Sequence, residues 1–414
     1  MPTPRTPFIQ TILIGNPANR RVLFFQQALQ RFGLEPAVVI PYVDLLRGTL
    51  TLTETIESTI VEKRASDRKI VVRIESPGED FEVERRLIAL GAETQSPSKT
   101  HLRISKHGAL RLRQDQGRIA YPAQWFAGYR TLMAEVSQCL KQFPKAIAFK
   151  DPMEIITMFD KPTCHQWLAQ AEVPVPNAIL DVESFDDLRE RMRSLLWNRV
   201  FVKLANGSSA SGVIALYVDG KTIRAVTPME CVGSGARTRF YNNLKLRVYH
   251  RPREIRLAID FLCRERAHVE QWLPKAQQSG RNFDLRIVTI AGSACQTVVR
   301  TSHGPITNLH LGNRRGDLAK LIEQMGIERW QSVLKLAERA AETFPRSQCV
   351  GLDILLGPSF RNPTVLEVNA FGDLLPGITH NGLNTYETQA SGADWTLCQH
   401  TRRTTLLLGN KPIG

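Results

Sequence analysis

The stretch 349–378, CVGLDILLGPSFRNPTVLEVNAFGDLLPGI, constrains this chain more than any other because it sets three oxygen-bearing side chains on two adjoining strands. Apolar residues flank Asp353 in VGLDILL, a turn-rich segment 357–363 follows, and TVLEVNA supplies the second strand. Strand side chains alternate faces, so Glu367 and Asn369 share a face while Leu366 and Val368 share the other. A hairpin closed by that turn sets Asp353 nearly opposite Glu367, where two carboxylates repel unless a cation stands between them. Two carboxylates and an amide oxygen form a hard-oxygen set suited to Mg²⁺ shared with substrate phosphates. A half-buried hairpin whose polar face only meets water is the simpler alternative.

A length of 414 residues exceeds one ordinary core and predicts two to three domains. No apolar run is long enough to span a bilayer, and MPTPRTPFIQTILIG lacks the layout of a secretory signal, so a soluble, cytoplasmic protein with no membrane partner is expected. The seven cysteines are scattered without a C-x-x-C pair, which predicts reduced, packed thiols and neither a disulfide framework nor a zinc site. The net charge of +14 favours anionic partners. Half of that excess lies in 221–266, where eleven Lys and Arg face four Asp and Glu.

Residues 8–46 read strand, helix, strand, a βαβ unit of a parallel sheet. Gly15-Asn16-Pro17 after its first strand is a tight turn and no G-x-G-x-x-G fingerprint. KIVVRIES ends in Arg73, Glu75 and Ser76, candidates for substrate contact at a strand's C-terminal end, with a solvated strand end as the alternative. Farther on, a strand bearing Lys203 runs into seven small or polar residues, 206–212, which predicts a flap whose backbone N–H groups approach phosphate oxygens. A strand ending in Glu270 meets Gln271-Trp272-Leu273-Pro274, and the next strand carries Asp284 and Arg286 on one face. Arg300 and Asn308 precede a Gly/Asn turn, and His303 and His310 read as exposed loop histidines.

Taken in order, these motifs resemble the ATP-grasp superfamily, most nearly its ribosomal-protein glutamate ligases and glutathione synthetases, over roughly 150–378. The resemblance implies an α/β (α+β) protein: two α+β subdomains gripping ATP, preceded by a Rossmann-like pre-ATP-grasp domain. The corresponding division is 1–150, 151–225 with the flap, 226–390 with the metal site, and a tail 391–414. In the family, the lysine of a D-K-x-x-T segment, here Lys161, contacts phosphates, as does the strand lysine before the flap, here Lys203. The flap matches Gly207, Ser208, Ser209 and Gly212, and the adenine hinge matches Glu270, Gln271, Trp272 and Leu273. Asn308 opens the N-L-H-x-G turn, and Asp353, Glu367 and Asn369 match the magnesium ligands. Two positions depart from the pattern: Ala210 replaces a central flap glycine, and Asn313-Arg314-Arg315 replaces a second turn glycine.

The activity so implied is an ATP-dependent carboxylate–amine ligase working through an acyl phosphate, with ATP and one or two Mg²⁺ as cofactors and Mn²⁺ as a substitute. Arg286 and Arg300 are the candidates for stabilising the transferred phosphoryl group. The partners implied are a carboxylate donor and an amine acceptor, and the basic stretch 221–266 would suit an acidic peptide or polyanion if it forms an arm rather than a solvated, helix-rich insertion. An ATP-grasp kinase and a non-catalytic nucleotide- or polyanion-binding protein are the competing readings. Nucleic acid is not expected, since no reading motif or aromatic-rich stacking face is present.

Overall fold

The computed structural model describes residues 9–62, 69–94, 102–208 and 210–391. Its strands form three sheets. In the first, β1 (Ile9–Gly15), β2 (Val38–Pro41), β3 (Lys69–Ile74) and β4 (Ala146–Ala148) lie parallel in the order β2-β1-β3-β4. Parallel strands are covered on both faces, which is why β1 and β3 are near-continuous apolar runs. The helix Arg20–Arg31 covers one face with Val22, Phe25, Ala28 and Leu29. Helices Phe81–Gly91 and Pro122–Gln142 cross at Gly91 and Gly128, where a Cβ on either glycine would stand 1.9 Å from a carbonyl oxygen of the other helix. Only glycine permits that approach.

The second sheet is antiparallel and comprises β5 (Ala178–Ile179), β6 (Arg199–Leu204), β7 (Val213–Asp219), β8 (Thr222–Val232), β9 (Arg239–Tyr249) and β10 (Ala267–Gln271). Its order is β5-β10-β6-β7-β8-β9. The boundary expected between 225 and 226 therefore falls inside β8, a continuous strand paired with β7 and β9, and the chain changes sheet only after Gln271. The basic stretch 221–266 is likewise neither a free arm nor a helix-rich insertion. It supplies two strands of this sheet and the helix Pro252–Arg264, whose Ile255, Ala258, Ile259 and Leu262 are buried.

The third sheet is built from β11 (Gln277–Gln278), β12 (Arg281–Ile290), β13 (Ser293–Ser302), β14 (Arg314–Arg315), β15 (Cys349–Gly357) and β16 (Arg361–Asn369). Its order is β14-β13-β12-β15-β16, with β11 on β12. All nine residues of β15 are buried. Sheets one and three share a single apolar core, joining Ile12, Ile70 and Tyr129 to Phe283, Leu352 and Ala337. Sheet two closes a core of its own around Val200, Val202, Ile214 and Ile259.

Where sheets one and three meet, Arg73 and Glu75 are each only 1% exposed, so they do not form an open substrate-contact edge. Arg73 Nε donates to Glu75 Oε1 at 2.6 Å. Asp373, from the turn after β16, accepts from Arg21 at 2.5 Å and Gln389 at 3.2 Å, and ion-pairs with Lys150 at 3.4 Å and Arg73 at 3.5 Å. Ser76, half-buried, receives the Gly78 N–H at 3.3 Å. Burial alone would raise the Asp373 carboxyl, but Lys150, Arg21 and Arg73 hold it far below the carboxylate range. Asp373→Ala leaves those cations without their counter-ion and is expected to remove about 3–5 kcal/mol of stability in urea unfolding at neutral pH. A loss under about 1 kcal/mol would show that the cluster does not hold the two sheets together.

Candidate active site

The third sheet offers its polar residues to a cleft in register. Asp353 on β15 pairs with Glu367 on β16, and Gly351 pairs with Asn369, so the three candidate ligands lie on adjoining strands. On the other side Arg286 of β12 stands opposite Asp353. Arg286 grips that carboxylate with two nitrogens, Nε at 2.5 Å and Nη2 at 3.2 Å. Arg300 Nη2 meets the same carboxylate at 3.0 Å while its Nε donates to Asp284 at 2.7 Å. Asp284 also accepts from Thr307 and, at 3.0 Å, from Lys275. Burial raises Asp353, yet Arg286 and Arg300 outweigh it and keep the group ionised. Of the two candidate arginines, then, Arg300 is buried and fully engaged with carboxylates, whereas Arg286 lies at the cleft surface with Nη1 donating to the Gly372 carbonyl at 3.3 Å.

The phosphate-side candidates come from sheet two and the helix Lys161–Gln170. Lys161 Nζ donates to the Gly207 carbonyl of the flap at 2.5 Å and pairs with Glu367 of the acidic hairpin at 2.8 Å. One ammonium thus touches both halves of the cleft. Neighbouring Asp160 is held by Arg266 at 2.8 Å and Thr163 at 2.9 Å, which fixes the start of that helix. Lys203 ion-pairs with Glu270 across β6 and β10, and His268 Nε2 stands 3.5 Å from the second Glu270 oxygen. Burial would raise Glu270, but Lys203 and then His268 bring it down to about 2.

Between β6 and β7 the flap closes through Leu204 N–H to Gly212 O at 2.8 Å. Gly212 has φ +65°, and a Cβ there would lie 2.4 Å from Leu204, so this position requires glycine. Ala210 has φ 61°, a left-handed conformation that costs an alanine about 1–2 kcal/mol. Ser208 is exposed at the flap, and Ser209 lies outside the described residues. In the hinge, Gln271 N–H donates to Asn177 O at 2.8 Å, Trp272 packs against Phe201 with ring centroids 5.3 Å apart, and Leu273 is half-buried beside them. A recess beside the hinge is lined by Lys161, Cys164, His165, His268, Leu366 and Glu367. Asn308 accepts the His310 N–H at 2.9 Å and fixes its turn, and His303 and His310 are exposed.

Does the hairpin suit Mg²⁺? Among the described residues no group of three or more His, Cys, Asp or Glu is placed to hold a metal. The set here is instead two carboxylates and an amide, and the Asn369 amide nitrogen is buried without a partner. A half turn of that amide exchanges nitrogen for oxygen, giving three hard donors on one hairpin, which fits the ion. Sequence reasoning missed Lys275 and Thr307. They reach Asp284 from loops, and nothing local in the chain signals it.

Sheet order, flap and facing antiparallel sheets can now be set against solved structures. The chain is similar to D-cycloserine synthetase DcsG, with a TM-score of 0.52 at 12% identity over 94% of this chain and 99% of that one. It is also similar to the ATP-grasp ligase PsnB complexed with minimal precursor (0.47, 14%, 94% and 99%). D-alanine–D-alanine ligase from Bacillus anthracis complexed with ATP gives 0.46 at 11% identity, covering 96% and 99%. The chain has the ATP-grasp fold. No protein-family model matches the sequence, and no curated protein matches it. At identities this low the likeness speaks to the ATP-grasp architecture and not to substrates.

The Lys203–Glu270 pair gives this ATP-grasp cleft a pH signature. Because the folded pKa of Glu270 is depressed, the pair's stabilisation is full above the unfolded value near 4.5 and disappears as pH falls towards 2. Lys203→Met should therefore destabilise the protein clearly at pH 7 and progressively less as pH is lowered from about 4.5 to 2, read by denaturant titration at each pH. A gap independent of pH would show that Lys203 acts through packing alone.

Proposed function

We propose that the protein is an ATP- and Mg²⁺-dependent ligase that activates a carboxylate as an acyl phosphate and joins it to an amine, releasing ADP and phosphate. The observation that carries this reading is Lys161, whose ammonium bonds the flap carbonyl of Gly207 and the hairpin carboxylate of Glu367 at 2.5 and 2.8 Å. A triphosphate laid in the cleft would replace these internal partners, with Lys161 and Lys203 turning to phosphate oxygens. Five cations, Lys161, Lys203, Lys275, Arg286 and Arg300, face four carboxylates, Glu270, Asp284, Asp353 and Glu367. An excess of one charge does not neutralise a triphosphate, so the nucleotide requires its own divalent ion. Asp353, Glu367 and Asn369 would hold Mg²⁺, which when bound neutralises phosphate oxygens.

The remaining parts follow from chemistry. Two anions, a carboxylate and the terminal phosphate, must approach each other. Arg286, at the cleft surface, would turn from Asp353 and the Gly372 carbonyl to offer a planar pair of N–H donors to the transferred group. Arg300 is a positioning residue that holds Asp353 and Asp284. The hinge 270–273 receives the base, and the flap 206–212 excludes the water that would hydrolyse the acyl phosphate.

Incubation with ATP, Mg²⁺ and a pool of metabolites and peptides should give acceptor-dependent ADP and a product mass equal to both substrates less water. A phosphorylated acceptor without condensation would replace the ligase with a kinase. Glu367→Gln should lower ADP formation by at least about 10²-fold while leaving the unfolding midpoint within a few degrees. Retained turnover would remove Glu367 from the metal site.

A further inference from the structure

Register lines up a row of charges across the third sheet. Asp284 of β12 stands opposite Arg300 of β13, and Arg300 opposite Arg315 of β14. Cross-strand partners share a face, as do residues two apart on one strand, so Arg315 lies on the cleft face with Asp284, Arg286 and Asp353. Its neighbour Gly316 agrees from the other side. A Cβ on Gly316 would stand 2.8 Å from Val299 and 2.9 Å from Thr301, and Val299 belongs to the apolar core beneath the sheet.

Residues particular to this chain seat Arg315 there. Asn313 Nδ2 donates to the carbonyls of Ile306 and Asn308, both at 2.9 Å, and so holds the turn where the ATP-grasp pattern has a second glycine. Thr301 Oγ1 donates to Arg314 O at 3.1 Å and Gly316 N–H to Val299 O at 2.8 Å, which fixes β14 on β13 at either side of Arg315. The guanidinium reaches Pro376 O through Nη2 at 2.8 Å. Arg286 holds the other end of the same loop through the Gly372 carbonyl, so residues 372–377 run between two cleft-face arginines.

Charge sets Arg315 apart from the rest of the cleft. Lys161, Lys203, Lys275, Arg286 and Arg300 each ion-pair with a carboxylate. Among the described residues no carboxylate does so with Arg315, whose partner is a neutral carbonyl and whose side chain is exposed. One carbonyl occupies one of five N–H donors and leaves the charge unanswered. A nucleotide held as proposed above lies elsewhere: its lysines and metal ligands belong to sheet two and to β15 and β16, whereas β14 is the opposite edge of the third sheet, with Arg286 between. A strand spacing of ~4.8 Å over two strands, with an offset of two residues, separates the Arg286 and Arg315 Cα atoms by about 12 Å. That span is on the scale of one small organic acid held between two long side chains.

We propose that Arg315 binds a second carboxylate, so that the acid taken by this cleft is a dicarboxylate with one carboxylate beside Arg286 and the other on Arg315. The guanidinium exchanges a single carbonyl oxygen for a carboxylate that accepts two N–H bonds and neutralises it. That the carboxylate beside Arg286 is the one activated rests on the ligase reading. Recognition of the second carboxylate does not.

Titration calorimetry of the full chain, with and without Mg·ADP, tests this with glutarate, adipate and pimelate, each against its monoamide. At least one diacid should bind about tenfold or more tighter than its monoamide, and that gap should shrink below about twofold in Arg315→Gln and return in part in Arg315→Lys. An arginine that merely clamps the 372–377 loop would shift the unfolding midpoint of Arg315→Gln and leave diacid and monoamide equal in the wild type. Equal binding, no binding of any diacid, or a gap that survives Arg315→Gln would overturn the proposal. Tighter binding of 3-phosphonopropionate than of the best diacid would overturn the choice of carboxylate over phosphate. A diacid gap intact in a wild-type protein that does not bind Mg·ADP would instead sink the ligase reading alone.

Discussion

Everything in the cleft depends on buried carboxylates being answered by fixed cations. Asp353 lies 6% exposed between Arg286 and Arg300, and an isolated carboxylate in that position would be protonated rather than ionised. The two guanidiniums keep it charged, orient it, and tie it through Asp284 to Lys275 and Thr307. The charged groups of this part of the cleft are thus fixed by one another. Two arginines from β12 and β13 are directed at one side chain of β15, Arg286 through Nε and Nη2 and Arg300 through Nη2 while its Nε holds Asp284.

The same rule operates at the junction of sheets one and three. Asp373 gathers Arg21, Arg73 and Lys150 four residues beyond the candidate ligand Asn369, in a turn whose Gly372 carbonyl receives Arg286. Gly351 and Gly372 pass so closely that a Cβ on either would fall within 2.7 Å of the other's Cα. Packing and charge together make the first sheet a support for the acidic hairpin. Sheet two has an apolar core of its own and meets the rest through polar contacts such as Lys161 to Glu367 and Glu265 to the N–H groups of Leu102 and Ala123. Polar contacts are exchanged for others at low net cost, whereas a shared core is not. The flap-bearing sheet is accordingly the part that can shift at least cost.

Legibility in the sequence follows from the range of the interaction concerned. The pairing of Asp353 with Glu367 was readable because a hairpin's register is local and the alternation of TVLEVNA fixes which side chains share a face. Lys161, Lys203, Glu270 and the flap were readable as an ordered set of motifs, although the contacts among them were not. Arg73 and Glu75 were misread as an open strand end because their counter-ion, Asp373, lies 300 residues on in the chain. No local pattern announces such a partner. The subdomain boundary was set too early because the positive charge of 221–266 masked the period-two pattern of β8 and β9, which the helix Pro252–Arg264 then completes.

That masking follows from how β9 is built. A buried strand advertises itself by apolar residues on both faces, as β15 does, and an ordinary edge strand by one apolar face turned to the core. β9 does neither: its pairing with β8 shifts register between Asn242 and Arg247, so its core-facing residues are even-numbered before the shift, as Phe240, and odd-numbered after it, as Tyr249. Averaged along the chain, the segment is merely basic. Resolved residue by residue, it is two paired stretches, 239–242 and 247–249, whose alternations are out of step.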